Sequence, residues 1–310
     1  MLGRVLAIAL NTYRESVRAR ILLGLAGVAF AVALYALIVG ALTLRAAPRV
    51  VSDLGAASIS IFSIAVAIVI GATSLYRELE QKTIFPILAR PIRRGEYLVG
   101  KYLGTLLTIA VFILADSGLV LLLSAALAGR PLGLLFGASA LTIAPLAAAA
   151  WKYPAARTFG LIPWAAAFCL LGALLASAAP EERRVVLGSS ALAFLEVGVI
   201  AAVATLFSAF STPFLSALLT LGVVVVGRSA DTLARLPVKQ FGQTLHDLGV
   251  GLSKIVPNLQ VYVPARPLLT GEIEGQRLLP YIGMASVAGV AWAVGLLAAA
   301  TLIFKKRDFL

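Results

Sequence analysis

The chain has 310 residues, of which 61% are hydrophobic and only 13% are charged, and its mean hydropathy is +0.99. About a quarter of the residues in a soluble domain are charged, so this composition excludes an ordinary soluble globule and indicates a protein that resides in a lipid bilayer. The net charge of +12 does not indicate a nucleic-acid partner, because the basic residues lie beside apolar segments.

The first elements in chain order are an amphipathic helix and a membrane hairpin. Residues 1–20 place apolar side chains on one helical face, which is typical of a helix that lies in the membrane interface. Spans of about 20 apolar residues are expected at 21–44 and 56–75, joined by a short linker that contains Pro48 and Asp53. The first span is too long to be the apolar part of a cleaved signal peptide.

A charged stretch at residues 76–101 separates this hairpin from a third span, expected at 102–128. Residues 131–180 are apolar enough for two additional helices, but Pro145 and Pro163 interrupt them. This segment therefore forms either two further crossings or a shallow re-entrant hairpin.

The C-terminal half is expected to contain three more spans. They are predicted at residues 186–209, 213–228 and 281–304, with an extracytoplasmic polar region at 229–280. The sequence thus predicts a single all-α membrane domain over residues 1–310, with about six to eight crossings and both termini on one side.

The distribution of basic residues predicts the orientation of this domain. More than half of the 26 Lys and Arg residues fall on the side of the two termini, and most of the others lie in the long region at 228–280. Long loops are translocated despite their charge, so the basic residues of that region say little about the orientation. Both termini and the charged stretch at 76–101 are therefore expected in the cytoplasm.

The most informative motif lies in the charged stretch. Residues 78–101 read ELEQKTIFPILARPIRRGEYLVGK. They resemble the cytoplasmic signature of ABC-2 type permeases. In that signature a proline is followed in order by a residue that is basic or Ser, an Arg, a small residue, a Glu and an aromatic residue, and a Gly-Lys pair comes after this run. Similar matches follow one another at residues 11–18, 204–213, 253–258 and 304–309, and they resemble the branch that contains the permease associated with nitrous-oxide-reductase maturation.

The resemblance implies the permease subunit of an exporter in the cytoplasmic membrane of a bacterium. Two permease copies, identical or related, would sit on separate ATPase subunits that bind ATP and magnesium, so this chain is expected to hold no cofactor. A short helix in the charged stretch would dock into the ATPase and drive alternating access. The residues expected to make this contact are Glu78, Glu80, Lys82, Phe85, Pro86, Arg90, Pro91, Arg93, Arg94, Glu96 and Lys101.

A simpler interpretation of these charges is that they only set the topology or contact anionic lipid. Gly95, Gly100 and Lys101 also copy part of a phosphate-binding loop, but Tyr102 stands where such a loop needs Ser or Thr for magnesium. The chain is therefore not expected to hydrolyse ATP. Cys169 and His246 have no companion ligands in the sequence, so no metal site is expected either.

Two carboxylates, Asp116 and Glu196, fall inside predicted spans. A charge at membrane depth is costly, so each should face protein or water, either along a substrate path or in a hydrogen bond between helices. Small residues such as Gly24, Gly27 and Ala201 are expected to allow close helix packing.

Three other classes of function compete with an exporter subunit. A secondary transporter would need ion-coupling carboxylates or broken helices in matched halves, and the sequence has no convincing inverted repeat. A non-transporting membrane subunit that anchors an assembly or signals is compatible with the same composition. A membrane enzyme is disfavoured, because no cluster of His, Cys or carboxylates has catalytic spacing.

Overall fold

The computed structural model describes residues 2–19, 21–43, 46–80, 93–273 and 277–306. Over these ranges the chain is almost entirely helical and contains no β-strand, which confirms the predicted fold class. Helices suit a chain in lipid, because their backbone N–H and C=O groups bond within the same segment. In chain order the helices are α1 (Leu2–Arg18), α2 (Ile21–Leu42), α3 (Ala47–Glu80), α4 (Arg94–Leu127), α5 (Leu132–Lys152), α6 (Ala156–Phe159), α7 (Leu161–Leu175), α8 (Pro180–Ser208), α9 (Pro213–Arg228), α10 (Ala230–Ala234), α11 (Val238–Ile255), α12 (Arg266–Thr270) and α13 (Leu278–Lys306).

Within the described ranges, 6 helical segments are long and apolar enough to cross a membrane. They correspond to α3, α4, α5, α6 taken together with α7, α8 and α13. The described apolar part of α2 and the whole of α9 are shorter. At a rise of about 1.5 Å per residue, α9 extends only ~24 Å, which is less than the roughly 30 Å of a hydrocarbon core.

The centre of the bundle consists of α3, α4 and α8, which pack on one another. Around this centre, α2 packs on α3, α7 packs on α4, and both α9 and α13 pack on α8. Ile59, Ile109, Leu121, Leu192 and Ile200 are fully buried in the shared core. Lipid is as apolar as these side chains, so close packing and hydrogen bonds hold the helices together rather than removal from water.

The structure corrects the predicted linker between the first two spans. Pro48 and Asp53 lie in the first turns of α3, which begins at Ala47. A proline at the second helical position loses no bond, because the first N–H groups of a helix have no partner within it. The linker prediction is therefore wrong, and α3 begins well before residue 56.

The segment at 131–180 folds into α5, α6 and α7. Pro145 lies inside α5, which nevertheless continues to Lys152. Pro163 lies in the first turn of α7, where its missing N–H costs little. Both halves of the segment reach crossing length, although α5 lies at the edge of the bundle with only Leu135 buried.

The turn between α4 and α5 shows why α4 ends where the sequence predicted. Gly129 has a φ of 88°, a left-handed conformation that favours glycine. Its N–H donates to the carbonyl of Ala126 at 3.1 Å, and the N–H of Arg130 donates to the carbonyl of Ala125 at 3.1 Å. These two bonds satisfy terminal carbonyls of α4, and Pro131 then prevents the helix from continuing.

The two ends of the bundle differ in their contacts. One end, here named the base, contains α1, the start of α4, residues 153–160 and the end of α13. At the base, the Tyr13 hydroxyl donates a hydrogen bond to the Thr158 carbonyl at 2.9 Å. Burial raises the pKa of Tyr13 to about 12, so the hydroxyl stays protonated as the donor. At the opposite end, named the far end, Arg130 Nη2 donates to Ser177 Oγ at 2.9 Å and joins α4 to the turn after α7.

Candidate functional site

The start of α4 joins α13 at the base. Arg94 Nη1 donates to the carbonyls of Phe304 at 3.0 Å and of Lys305 at 2.9 Å. These carbonyls belong to the last turn of α13, where they lack partners within their own helix. A guanidinium at this position also opposes the negative end of the helix dipole. Arg94 therefore ties α4 to the C-terminal end of α13.

Two ion pairs join the start of α4 to α1. Glu96 is only 7% exposed, and its Oε2 lies 4.0 Å from Arg4 Nη1. Lys101 Nζ lies 3.6 Å from Glu15 Oε2 and donates to the carbonyl of Ser74 on α3 at 3.4 Å. One short stretch of α4 thus contacts α1, α3 and α13, and we name Arg94, Glu96, Tyr97 and Lys101 the base cluster.

Tyr97 is the aromatic member of the base cluster. Its ring stacks on that of Phe304 with a centroid distance of 6.4 Å and an interplanar angle of 15°, and both side chains are buried. Lys101 Nζ lies 5.8 Å from the centroid of the same ring, within the range of a cation–π contact. The junction between α4 and α13 is therefore packed as well as hydrogen-bonded.

Two glycines let α1 approach the backbone of α4. A methyl group at Gly104 would lie 2.5 Å from the carbonyl oxygen of Ala9, and one at Gly100 would lie 2.7 Å from Ile8 Cβ. Real Cβ atoms do not come this close, so only glycine permits this crossing. The sequence analysis missed this contact, although two glycines four residues apart in Gly-Lys-Tyr-Leu-Gly were the available signal.

The predicted ATPase contact lies only in part within the described residues. Arg93 precedes α4 and is exposed, while Arg94, Glu96 and Lys101 belong to the base cluster. Glu78 and Glu80 lie in the last turns of α3, but their side chains are outside the described part. The remaining predicted residues lie outside the described ranges: Lys82, Phe85, Pro86, Arg90 and Pro91. Docking at this stretch therefore stays a prediction.

Glu196 forms a buried ion pair in the interior of the bundle. Its carboxylate is 0% exposed and accepts two bonds from Arg228, Nε to Oε1 at 2.8 Å and Nη2 to Oε2 at 2.9 Å. Arg228 Nη2 also donates to Ser60 Oγ on α3. A bidentate arginine satisfies a buried carboxylate in both charge and geometry. The contacts of Glu196 thus join α3, α8 and α9.

A cavity of about 300 Å³ extends from this ion pair toward the far end. Arg228 and Arg266 both line it. Arg266 pairs with Asp53 of α3, and its Nη2 lies 3.8 Å from Glu182 Oε1 of α8. Each arginine of this cavity is therefore held by carboxylates. No sequence pattern indicates this group, because its charged members lie on four helices, α3, α8, α9 and α12, and form no local motif.

Asp116 does not join this network. It lies on α4 and is 5% exposed, and neither of its carboxylate oxygens has a hydrogen-bond partner among the described residues. It lines a separate cavity of about 230 Å³ between α2, α4 and α7. The structure thus places the two intramembrane carboxylates in different surroundings, one paired and one surrounded by apolar side chains.

Metal-ligating side chains are scattered over the described residues. No group of three or more His, Cys, Asp or Glu side chains in this part of the chain is arranged to hold a metal ion. Gly95 and Gly100 lie within α4, and the space beside Gly100 is filled by Ile8. A helix packed in this way presents no loop of free N–H groups to a phosphate.

The chain matches the model of a known protein family. The family model described as ABC-2 family transporter protein matches residues 6–309, which is nearly the whole chain. No curated protein matches the sequence. The matched region contains the base cluster, the ion pair of Glu196 and both cavities.

Proposed function

Because the chain belongs to the ABC-2 family of transporter proteins, we propose that it is one membrane half of an exporter driven by a separate ATP-binding-cassette ATPase. Its crossing-length helices make it a multi-pass membrane component of such a transporter. The second half is another copy of this chain or a related permease. Within the family, we propose that it belongs to the branch of the nitrous-oxide-reductase maturation permease, whose motifs it resembles, and that its cargo moves outward by alternating access.

The base cluster is the observation that supports this proposal. The segment between α3 and α4 carries the family-like signature, and the first turns of α4 are bonded to α1, α3 and α13. A displacement of this segment by an ATPase would therefore move four helices together. Rigid, packed contacts transmit such a displacement, whereas a loop bonded to nothing would absorb it.

The charged stretch at residues 76–101, here named the coupling segment, is tested at Phe85 and Arg90, which lie outside the described residues. Arg94 and Glu96 are unsuited to the test, because Arg94 holds the end of α13 and Glu96 is buried. We expect the double variant Phe85→Ala/Arg90→Ala to lower association with the ATPase at least about tenfold, since aromatic and arginine anchors dominate interfaces. Association is measured by co-purification with the tagged chain in mild detergent, followed by ATP turnover of the complex.

The matched control for this test changes the same residue types elsewhere. Phe136 and Arg235 are both exposed and lie away from the base, so Phe136→Ala/Arg235→Ala should leave association unchanged. Full association and turnover of the Phe85→Ala/Arg90→Ala variant would overturn the docking assignment. A chain that binds the ATPase but shows no substrate-dependent turnover would instead identify a membrane anchor, and a chain that never binds an ATPase would refute the exporter proposal.

The proposed orientation places the base in the cytoplasm. In a Cys169→Ser background, we expect Glu181→Cys to react with a membrane-impermeant maleimide in intact cells, because Glu181 is exposed at the far end. Tyr153→Cys, exposed at the base, should react only after the cells are permeabilised. The reverse pattern would invert the orientation and place the coupling segment on the wrong side for an ATPase.

A further inference from the structure

The cavity at Asp116 is lined by aromatic rings. Phe30, Phe112, Trp164 and Phe168 surround it together with Asp116, and the other lining residues are alanines and one leucine. The rings of Trp164 and Phe168 stack with a centroid distance of 5.3 Å. Such rings present a negatively polarised face to an occupant, so they attract cations.

Asp116 lies deep within its span. It is about 17 Å from the end of α4 at Leu127, given a rise of ~1.5 Å per residue. A carboxylate at this depth is costly unless it has a partner, as Glu196 has in Arg228. Among the described residues, both oxygens of Asp116 and the indole nitrogen of Trp164 are buried without one. Buried polar atoms normally have a hydrogen-bond partner in the protein or in a ligand, so these three atoms indicate that a ligand is missing from the cavity.

We propose that this cavity binds an organic ammonium ion with apolar substituents, whose positive head lies among the four rings and pairs with Asp116. Alkylated ammonium ions are the cations that aromatic cages recognise. Because both oxygens of Asp116 are buried, the pairing requires a change of the Asp116 side-chain rotamer. In this pair the ammonium head and the Asp116 carboxylate neutralise each other, so neither charge is buried without a counterion.

The position of Phe30 indicates how the ligand enters. Its side chain is 51% exposed, whereas Phe112 and Phe168 are 6% and 8% exposed. Phe30 therefore marks the mouth of the cavity, on the exposed face of α2. The apolar part of the bound ligand extends through this mouth into the bilayer. The site involves no ATPase, so it stands independently of the proposed export cycle.

The test uses the full chain in dodecyl maltoside micelles with benzyltrimethylammonium as the probe. Trp151 and Trp292 are replaced by Phe so that Trp164 alone reports binding by its fluorescence. We expect saturable binding that Asp116→Asn weakens at least about tenfold, because the charge pair is lost while the shape is kept. Phe30→Leu should weaken binding about threefold through loss of one ring at the mouth, where it cannot disturb the fold.

Two controls separate cation recognition from occupation of an apolar groove. Neopentylbenzene has the shape of the probe without its charge, so it should bind at least about tenfold more weakly than the probe. Its binding should be the same in the Asp116→Asn variant as in the unchanged protein. Asp53→Asn, which alters a carboxylate of the other cavity, should leave probe binding unchanged. Absence of saturable binding, equal binding of neopentylbenzene, or full binding by folded Asp116→Asn protein would each overturn the proposal.

Discussion

Replacement of Arg228 by alanine should destabilise the protein by about 3 kcal/mol. Glu196 is completely buried, and Arg228 supplies both of its charged hydrogen bonds. Without the guanidinium, the carboxylate remains in the interior as an uncompensated charge. We place the effect at the lower end of the range for buried pairs, because Arg228 lines a cavity through which water can reach the site. The free energy of unfolding in mixed micelles, with increasing dodecyl sulfate, measures this loss.

The control for this result removes both charges together. The double variant Glu196→Leu/Arg228→Met should regain most of the lost stability, because apolar side chains of similar size can replace a buried pair without leaving a charge behind. Arg235 is exposed in the segment after α10, so Arg235→Ala should change the free energy of unfolding by no more than about 0.5 kcal/mol. Equal stability of Arg228→Ala and Arg235→Ala would show that Glu196 does not depend on its partner.

The pairing of Glu196 also shows where sequence reasoning reached its limit. Hydropathy located the apolar helices, because backbone hydrogen bonding in lipid leaves few alternatives to a helix. The same pattern placed Glu196 inside a span and ended another span at Arg228, whose charge was counted only with the long region at 228–280. Their contact depends on how α8 and α9 pack after the chain reverses near residue 211, which no local pattern encodes.

Helix contacts at small residues were likewise only partly predictable. Ala201 is buried where expected, and its neighbour Ala204 lies beside Gly71 of α3. Gly24 and Gly27 instead have no described atom within 4 Å of a built Cβ. Spacing of small residues shows that a helix can approach closely, but the face that meets another helix is decided by the packing of the whole bundle.

Gly104→Ala should destabilise the protein by about 1–3 kcal/mol and loosen α1, although it adds a single methyl group. That methyl would lie 2.5 Å from the carbonyl oxygen of Ala9 and 2.6 Å from Thr12 Cβ, so α1 must move away. Backbone atoms cannot rotate aside as the end of a long side chain can. The bond between Tyr13 and Thr158 would be stretched by the same movement. Hydrogen–deuterium exchange over α1, together with the free energy of unfolding, measures the displacement.

Gly137→Ala is the matched variant, because Gly137 is exposed on α5 and no described atom lies within 4 Å of the added methyl group. Alanine is the better helix former, so this substitution should leave stability unchanged or raise it by up to about 1 kcal/mol. The two identical substitutions are therefore expected to act with opposite signs. If Gly104→Ala left the exchange of α1 as slow as in the unchanged protein, α1 would not be held by this contact. Its ion pairs with α4 and the bond between Tyr13 and Thr158 would then have to anchor α1 to the base, although both ion pairs are partly exposed and such pairs contribute little.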